Sequence, residues 1–283
     1  MVAVRARGLR CQGDKPLHGT GLPGAGALRG VMLAGMTTEI LAPPCVAPED
    51  VVSVLRRQGY AVLDARSVCA LAHVAPDDLQ PLLAGWDDLP ADNYLKDGGR
   101  YRRRRHGSFV LQDGVVQPVA HRAHWQPVEY NALHGGMQRW FEPLAPVTVA
   151  HAAFSRLLLM LGTLCSQLKG AQTWYGEAHQ FRIDTTDGIG RPTPEGAHRD
   201  GVDLVAVFLV QRQGVKGGET RVFEAAGPNG QRFTLSEPWS VLLLDDARVI
   251  HESTPIQPLG TEGHRDTLVV TLRAGGFQDD DTN

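Results

Sequence analysis

From Gly196 onward the chain consists almost entirely of short apolar runs cut by glycine, proline and paired polar residues. Stretches 202–211, 220–224, 231–235, 239–244, 248–251 and 265–273 read as strands, with Gly217-Gly218 marking one intervening turn. The first is so uniformly apolar through Val210 that it reads as a buried strand. Many short strands with this punctuation, following helices, point to an antiparallel sandwich or jelly roll.

The preceding residues supply those helices. The segment from Pro48 to Gln58 has a proline and two acids in its first turn, arginines in its last, and Gly59 as a stop. Those are helix start and stop signals that also suit the macrodipole. Residues 60–64 read as a short strand and 76–89 as a second helix. Residues 147–169, apolar at 149, 153, 157, 160, 161, 164 and 168, read as one long helix lying against the sheet. The stretch 173–184 has strand propensity and alternates in its second half, with His179, Phe181 and Ile183 on one face and Gln180, Arg182 and Asp184 on the other. One domain is expected over 36–277, helical over about 47–170 and β over about 171–275.

Residues 1–35 set Arg5, Arg7, Arg10, Lys15 and Arg29 against Asp14 alone and show no apolar periodicity. They are expected to form a disordered or artefactual leader, without the apolar core of a secretory signal. Residues 278–283 read as an acidic tail. A net charge of -3 argues against a nucleic-acid surface. The most apolar run, 157–168, is interrupted by Gly162, Thr163, Ser166 and Gln167 and falls short of the about 20 residues a membrane span needs. Four scattered cysteines with no C-x-x-C fit reduced thiols in a cytoplasm. The expected partner is a small molecule, neither nucleic acid nor membrane.

Four consecutive arginines occupy positions 102–105. On a strand, Arg102 and Arg104 face one way and Arg103 and Arg105 the other, so one pair can turn into a cavity and hold a carboxylate bidentately. A solvated face is the ordinary alternative. Residues 121–143, rich in His, Gln, Trp, Tyr and Asn, resemble a shaped loop. Residues 185–196, with Gly188, Gly190, Pro192 and Pro194, read as a second loop of lid-like length.

That second loop delivers the chain to Gly196-Ala-His-Arg-Asp-Gly201. In extended chain His198 and Asp200 face the same way about 6.7 Å apart, so an imidazole and a carboxylate can reach one metal ion. His251 follows at the end of a short strand, after the tight Asp245-Asp246 turn, and Arg265 opens the last strand. Two histidines and a carboxylate on one side of a metal leave three positions open, the arrangement of non-haem Fe(II) oxygenases. A downstream arginine suits the distal carboxylate of a bound dicarboxylate.

The pattern His198-x-Asp200, His251 and Arg265 resembles the Fe(II)/2-oxoglutarate-dependent dioxygenases. A closer likeness is to the bacterial enzymes that hydroxylate free L-amino acids, the isoleucine-hydroxylase-like group. It rests on His179-Gln-x-Arg182, Gly217-Gly218, Glu237-Pro238, His251-x-x-x-Pro255-x-x-Pro258-Leu-Gly260 and the run from Arg265 to Thr271. The likeness covers about 94–273.

The resemblance implies a mainly β fold with flanking helices, a double-stranded β-helix of jelly-roll, cupin-like form. It implies Fe(II) on His198, Asp200 and His251, 2-oxoglutarate as co-substrate, and O2 as oxidant. Succinate and CO2 are released as a substrate C–H bond is hydroxylated. Arg265 would take the distal 2-oxoglutarate carboxylate, with Thr267 as helper on the same face; Arg273 shares that face but lies about 26 Å further along. A free amino acid needs a cation for its carboxylate, for which Arg182, Arg102 and Arg104 compete. Gln180 or Asn131 would add hydrogen bonds. Alternatively Arg182 pairs with Asp184 or Asp187 and braces the sheet. Asp203 and Glu195 could orient the ligands, whereas His121, His124, His134, His151 and His179 are expected to be ordinary hydrogen-bonded side chains. Two other readings stay open: the same chemistry on a peptide, carrier-bound amino acid or other metabolite, or a metal-binding β-sandwich without turnover.

Overall fold

Twelve strands carry the described part of the chain, residues 41–279 of a computed structural model. They are β1 (Tyr60–Leu63), β2 (Arg102–Gln112), β3 (Val115–Pro118), β4 (Trp174–Asp184), β5 (Leu204–Gln213), β6 (Val215–Gly217), β7 (Thr220–Glu224), β8 (Gly230–Phe233), β9 (Val241–Asp245), β10 (Val249–Ser253), β11 (Ile256–Pro258) and β12 (His264–Ala274). Seven form a large antiparallel sheet in the order β1-β9-β5-β12-β4-β2-β3; β10-β7-β8 and β11-β6 make two smaller ones. The mainly β, jelly-roll architecture expected from the strand-and-turn pattern is present. The expected leader lies outside the described residues.

Alternation along the central strand shows why two faces form. On β12, Leu268, Val270 and Leu272 pack with the helices, while Arg265, Thr267, Val269 and Thr271 line a cavity on the opposite face. Its neighbour β5 splits likewise: Leu204, Ala206, Phe208 and Val210 join the helical core, and Val205 and Leu209 join a second apolar cluster with Val222, Phe233 and Val249 of the small sheet. The apolar run is therefore buried on both sides, and each such side chain contributes about 1.5–3 kcal/mol.

The helical layer comprises α1 (Val51–Gln58), α2 (Ala65–Ala72), α3 (Pro146–Val149) and α4 (Ala152–Lys169). Helix α1 ends as its sequence indicates, at Gly59 with φ 82°, whose N–H donates to the Leu55 carbonyl. The long helix expected over 147–169 is instead interrupted. His151 is extended, with ψ 129°, and its Nδ1 accepts from the Ala153 N–H at 3.3 Å, capping α4 afresh. The helix expected over 76–89 is a 3-10 helix, Pro76–Trp86, with Pro81 inside it; that proline has no N–H to continue α-type bonding. No helix among the described residues is long and apolar enough to cross a membrane.

Residue 278 falls inside the fold, which corrects the boundary placed before the acidic tail. Gln278 is buried, and its Nε2 donates to the carbonyls of Asp200 at 2.8 Å and Gly201 at 3.1 Å.

Candidate metal and co-substrate site

The cavity between the large sheet and β10 has a volume of about 120 Å³. His198, Asp200 and His251 meet at one end of it, with ligand atoms all within 4.8 Å of one another. His198 and Asp200 precede β5 outside any named strand, so strand alternation within one element is not what aligns them. Two other contacts do. The backbones of His198 and His251 exchange hydrogen bonds, each 3.0 Å, which pins the turn to β10. The second is Asp246, fully buried behind the turn.

Gly201 adopts φ 76°, a left-handed conformation that suits glycine, and three successive N–H groups converge as a result. The Asp246 carboxylate accepts all three, from Asp200 at 3.0 Å, Gly201 at 2.7 Å and Val202 at 3.2 Å. Burial and the nearby Asp200 push its pKa up to about 6, against the pull of these N–H donors. The paired Asp245-Asp246 was legible only as a turn. Asp246→Asn keeps the shape but turns an amide donor toward N–H groups. It is expected to weaken Fe(II) binding about 10- to 100-fold, the usual cost of losing a group that orients ligands, as read by anaerobic metal titration.

The donors suit a first-row metal. His198 Nδ1 donates to the Gly196 carbonyl at 3.0 Å, leaving the Nε2 lone pair free. Asp200 Oδ1 lies 3.8 Å from that Nε2, and its Oδ2 lies 3.9 Å from His251 Nε2. Bonds of about 2.1 Å place two ligands of one ion no more than about 4.2 Å apart, so both separations fit. Burial lowers the His198 pKa but Asp200 and Glu195 outweigh it, leaving the imidazole above its usual value; burial and the charge of His198 hold His251 well below. Gln126 Nε2 donates to Asp200 Oδ1 at 3.1 Å, and Gln126 in turn accepts from Asn131 at 3.1 Å and Arg139 at 2.9 Å.

Arg265 also lines the cavity, buried, with Nε lacking any hydrogen-bond partner and no carboxylate paired to it among the described residues. Burial and then the charge of Arg212 lower its pKa to about 10. A buried guanidinium without an anion is costly, so the position calls for an anionic ligand. Thr267 shares its face and also lines the cavity.

The arginine run alternates as expected. Arg102 and Arg104 are buried and line the cavity; Arg103 and Arg105 face outward. Arg102 Nε donates to Asp92 at 2.7 Å while its Nη2 has no partner. The Arg104 guanidinium stacks on the rings of Phe141, 3.7 Å away, and Phe181, 4.3 Å away, and donates to His179 Nδ1 at 2.6 Å. Two expected substrate residues, Arg182 and Gln180, are placed differently, and a third, Asn131, is already engaged. Arg182 points to the helical face and forms a two-pronged pair with Asp266 at 2.8 and 2.7 Å, rather than with Asp184 or Asp187. Gln180 is fully buried on that same face. Asn131 lines the cavity, but its amide is occupied by Gln126 and the His134 N–H. Arg182→Ala is expected to cost about 3 kcal/mol of stability by stranding buried Asp266, with substrate affinity unchanged once folded; denaturant titration and substrate binding check the two halves.

Several cavity residues were not singled out in the sequence. Arg139, in the shaped loop, is buried and its Nε has no partner. Glu177 lies on β4 two positions before His179, so extending the alternation back would have found it. It accepts from His106 Nε2 at 3.0 Å and His124 Nδ1 at 3.2 Å. Burial opposes its charge, but the histidines win and hold the carboxyl well below its usual range. His106, His124, Glu177 and His179 converge closely enough to admit a metal. However, the Glu177 oxygens already accept imidazole N–H groups, and the Arg104 guanidinium occupies the His179 lone pair. The cluster is a hydrogen-bond network behind Arg104. Of the two flanking acids, Glu195 lines the cavity, with Oε1 3.6 Å from His198 Nε2; Asp203 turns away and accepts from the Ala274 N–H at 2.8 Å.

An antiparallel sheet whose cavity brings together two imidazoles, one carboxylate and a buried, unpaired arginine has the layout of a non-haem iron oxygenase site. Comparison with known proteins agrees. Residues 83–271 match the 2OG-Fe dioxygenase family. The crystal structure of a bsmA homolog from Methylobium petroleophilum PM1 is 53% identical with a TM-score of 0.80, covering 84% of this chain and 97% of that one. IDO from Bacillus thuringiensis, 16% identical with a TM-score of 0.65 over 81% of this chain and 96% of that one, shares the fold. So does the Fe(II)/(alpha)ketoglutarate-dependent dioxygenase TqaL, 19% identical with a TM-score of 0.62 over 82% and 89% of the two chains. No curated protein matches the sequence. The chain belongs to the 2OG-Fe dioxygenase family, whose members use Fe(II), 2-oxoglutarate and O2.

Proposed function

We propose that this dioxygenase hydroxylates a free L-amino acid in the cytoplasm. His198, Asp200 and His251 hold the iron, Arg265 with Thr267 receives the distal carboxylate of 2-oxoglutarate, and Arg102 and Arg104 face the substrate carboxylate. When bound, Fe(II) activates O2 with 2-oxoglutarate as reductant, giving succinate, CO2 and an oxygen atom for the substrate. The protein orients the target C–H bond and excludes water from the site.

The observation that carries this reading is the second set of buried arginines. Arg265 accounts for one anionic ligand, yet Arg102, Arg104 and Arg139 also offer unpartnered N–H groups inside the cavity. Those donors call for a second anionic or strongly accepting ligand. The test is succinate formation with Fe(II), ascorbate and 2-oxoglutarate across the free L-amino acids. At least one is expected to raise it well above the background of 2-oxoglutarate alone. Stimulation only by peptides or by non-amino-acid metabolites would replace the substrate and leave the chemistry.

A further inference from the structure

Past the end of β12 the chain is held in place by side chains from three elements. Gly275 and Gly276, with φ 80° and 148°, take conformations that other residues rarely adopt, and the strand ends there. Arg273, still on β12, donates through Nη1 to the Gly276 carbonyl at 3.1 Å and the Phe277 carbonyl at 3.2 Å. Phe277 is buried, its ring edge-on to Tyr175 of β4 with centroids 5.2 Å apart. The Arg122 guanidinium, from the 121–143 loop, lies 4.0 Å from the centre of that ring and also pairs with Asp279. Residues 275–279 thus form a strap fastened to β12, to β4 and to the loop, and Gln278 sits between its two fastened residues.

What the strap carries to the iron site is one amide. Gln278 lines the cavity, and its Nε2 donates to the carbonyls of Asp200 at 2.8 Å and Gly201 at 3.1 Å. Those carbonyls belong to the turn whose N–H groups end on Asp246. Asp200 is therefore gripped at three points: its N–H by Asp246 at 3.0 Å, its carboxylate by Gln126 at 3.1 Å, and its carbonyl by Gln278. The fit on the third side is close. A Cβ added to Gly201 would come 2.9 Å from Gln278 Nε2, and closer still to the Tyr130 ring. Two bonds from a single side chain fix the peptide planes on either side of the Gly201 nitrogen and Cα, and with them the direction in which the Asp200 carboxylate leaves the turn.

Building on the assignment of iron to Asp200 above, we infer that Gln278 is a positioning residue for the metal, delivered by the C-terminal strap. Asp246 and Gln278 divide the work, one taking the donors of the turn and the other its acceptors. A group that holds a ligand without touching the ion still sets how well that ligand binds, because an unheld carboxylate has to be ordered when the metal arrives.

The experiment is anaerobic Fe(II) titration of the full chain, with amide hydrogen exchange of the same iron-free protein as a second readout. Gln278→Met keeps the length of the side chain and loses the donor. It is expected to weaken Fe(II) binding about 10- to 100-fold, the usual cost of losing a group that orients a ligand. Exchange should become faster in the peptide carrying Asp200 to Val202 and stay at the parent rate in β5 and β12, the mark of a local loosening. Parent affinity in Gln278→Met, while Asp200→Ala loses iron, would overturn the role of Gln278 and leave the iron assignment standing. Parent affinity in Asp200→Ala would remove the iron assignment, and the inference with it. Weaker binding accompanied by faster exchange throughout the large sheet would overturn the positioning role and make Gln278 a residue that holds the fold together.

Discussion

Asp200→Ala is expected to abolish iron-dependent succinate formation and to lower Fe(II) affinity by well over about 100-fold. The bound comes from ordering the effects: losing a group that only orients metal ligands costs about 10- to 100-fold, and Asp200 is the proposed ligand those groups orient. Its oxygens lie within reach of both His198 and His251, and Gln126 and the Asp246-bound turn are arranged around it. Its removal leaves two imidazoles and no anion against a divalent ion. Anaerobic Fe(II) titration separates this from a folding defect, since the Asp246 anchor, the His198–His251 backbone pair and the sheet are untouched. Full retention of iron binding would put the metal elsewhere.

Arg265→Ala is expected to act on the co-substrate. A buried guanidinium that pairs with a carboxylate contributes about 2–5 kcal/mol, so the apparent 2-oxoglutarate constant should rise at least about 30-fold. Iron affinity in the absence of 2-oxoglutarate should stay near the parent value. Arg265→Lys should fall between, keeping the charge but losing the planar fork. The measurement is the 2-oxoglutarate dependence of succinate formation at saturating Fe(II). An unchanged constant in the alanine variant would move the clamp to another cation, with Arg212, which interacts electrostatically with Arg265, the next to test.

The contrast between these two sites and the substrate side shows what kind of information the sequence holds. His198, Asp200, His251 and Arg265 were legible because their residue types are rare together and their order along the strands is constrained by the chemistry. The alternation at positions 102–105 was legible because a strand allows only two faces. The same rule, applied to 173–184, already placed Gln180 and Arg182 opposite His179, and the structure puts His179 in the cavity and Arg182 on Asp266. Naming Arg182 a substrate residue weighed its charge above its parity. Arg139 and Gln126 come from segments without regular structure, where no periodicity says which side chains turn inward. Asp246 is invisible for a different reason. Its role depends on three N–H groups from a turn more than forty positions earlier meeting one carboxylate.

The central claim is that one oxygen atom of O2 is transferred to a free L-amino acid at the His198, Asp200 and His251 site. The direct measurement is turnover under isotopically heavy O2 with Fe(II), 2-oxoglutarate and the amino acid that most stimulates succinate formation, followed by mass analysis of both products. The account predicts one labelled oxygen in the hydroxylated amino acid and one in succinate, in equal amounts, with neither formed by Asp200→Ala. Labelled succinate accompanied by an unchanged amino acid would contradict it.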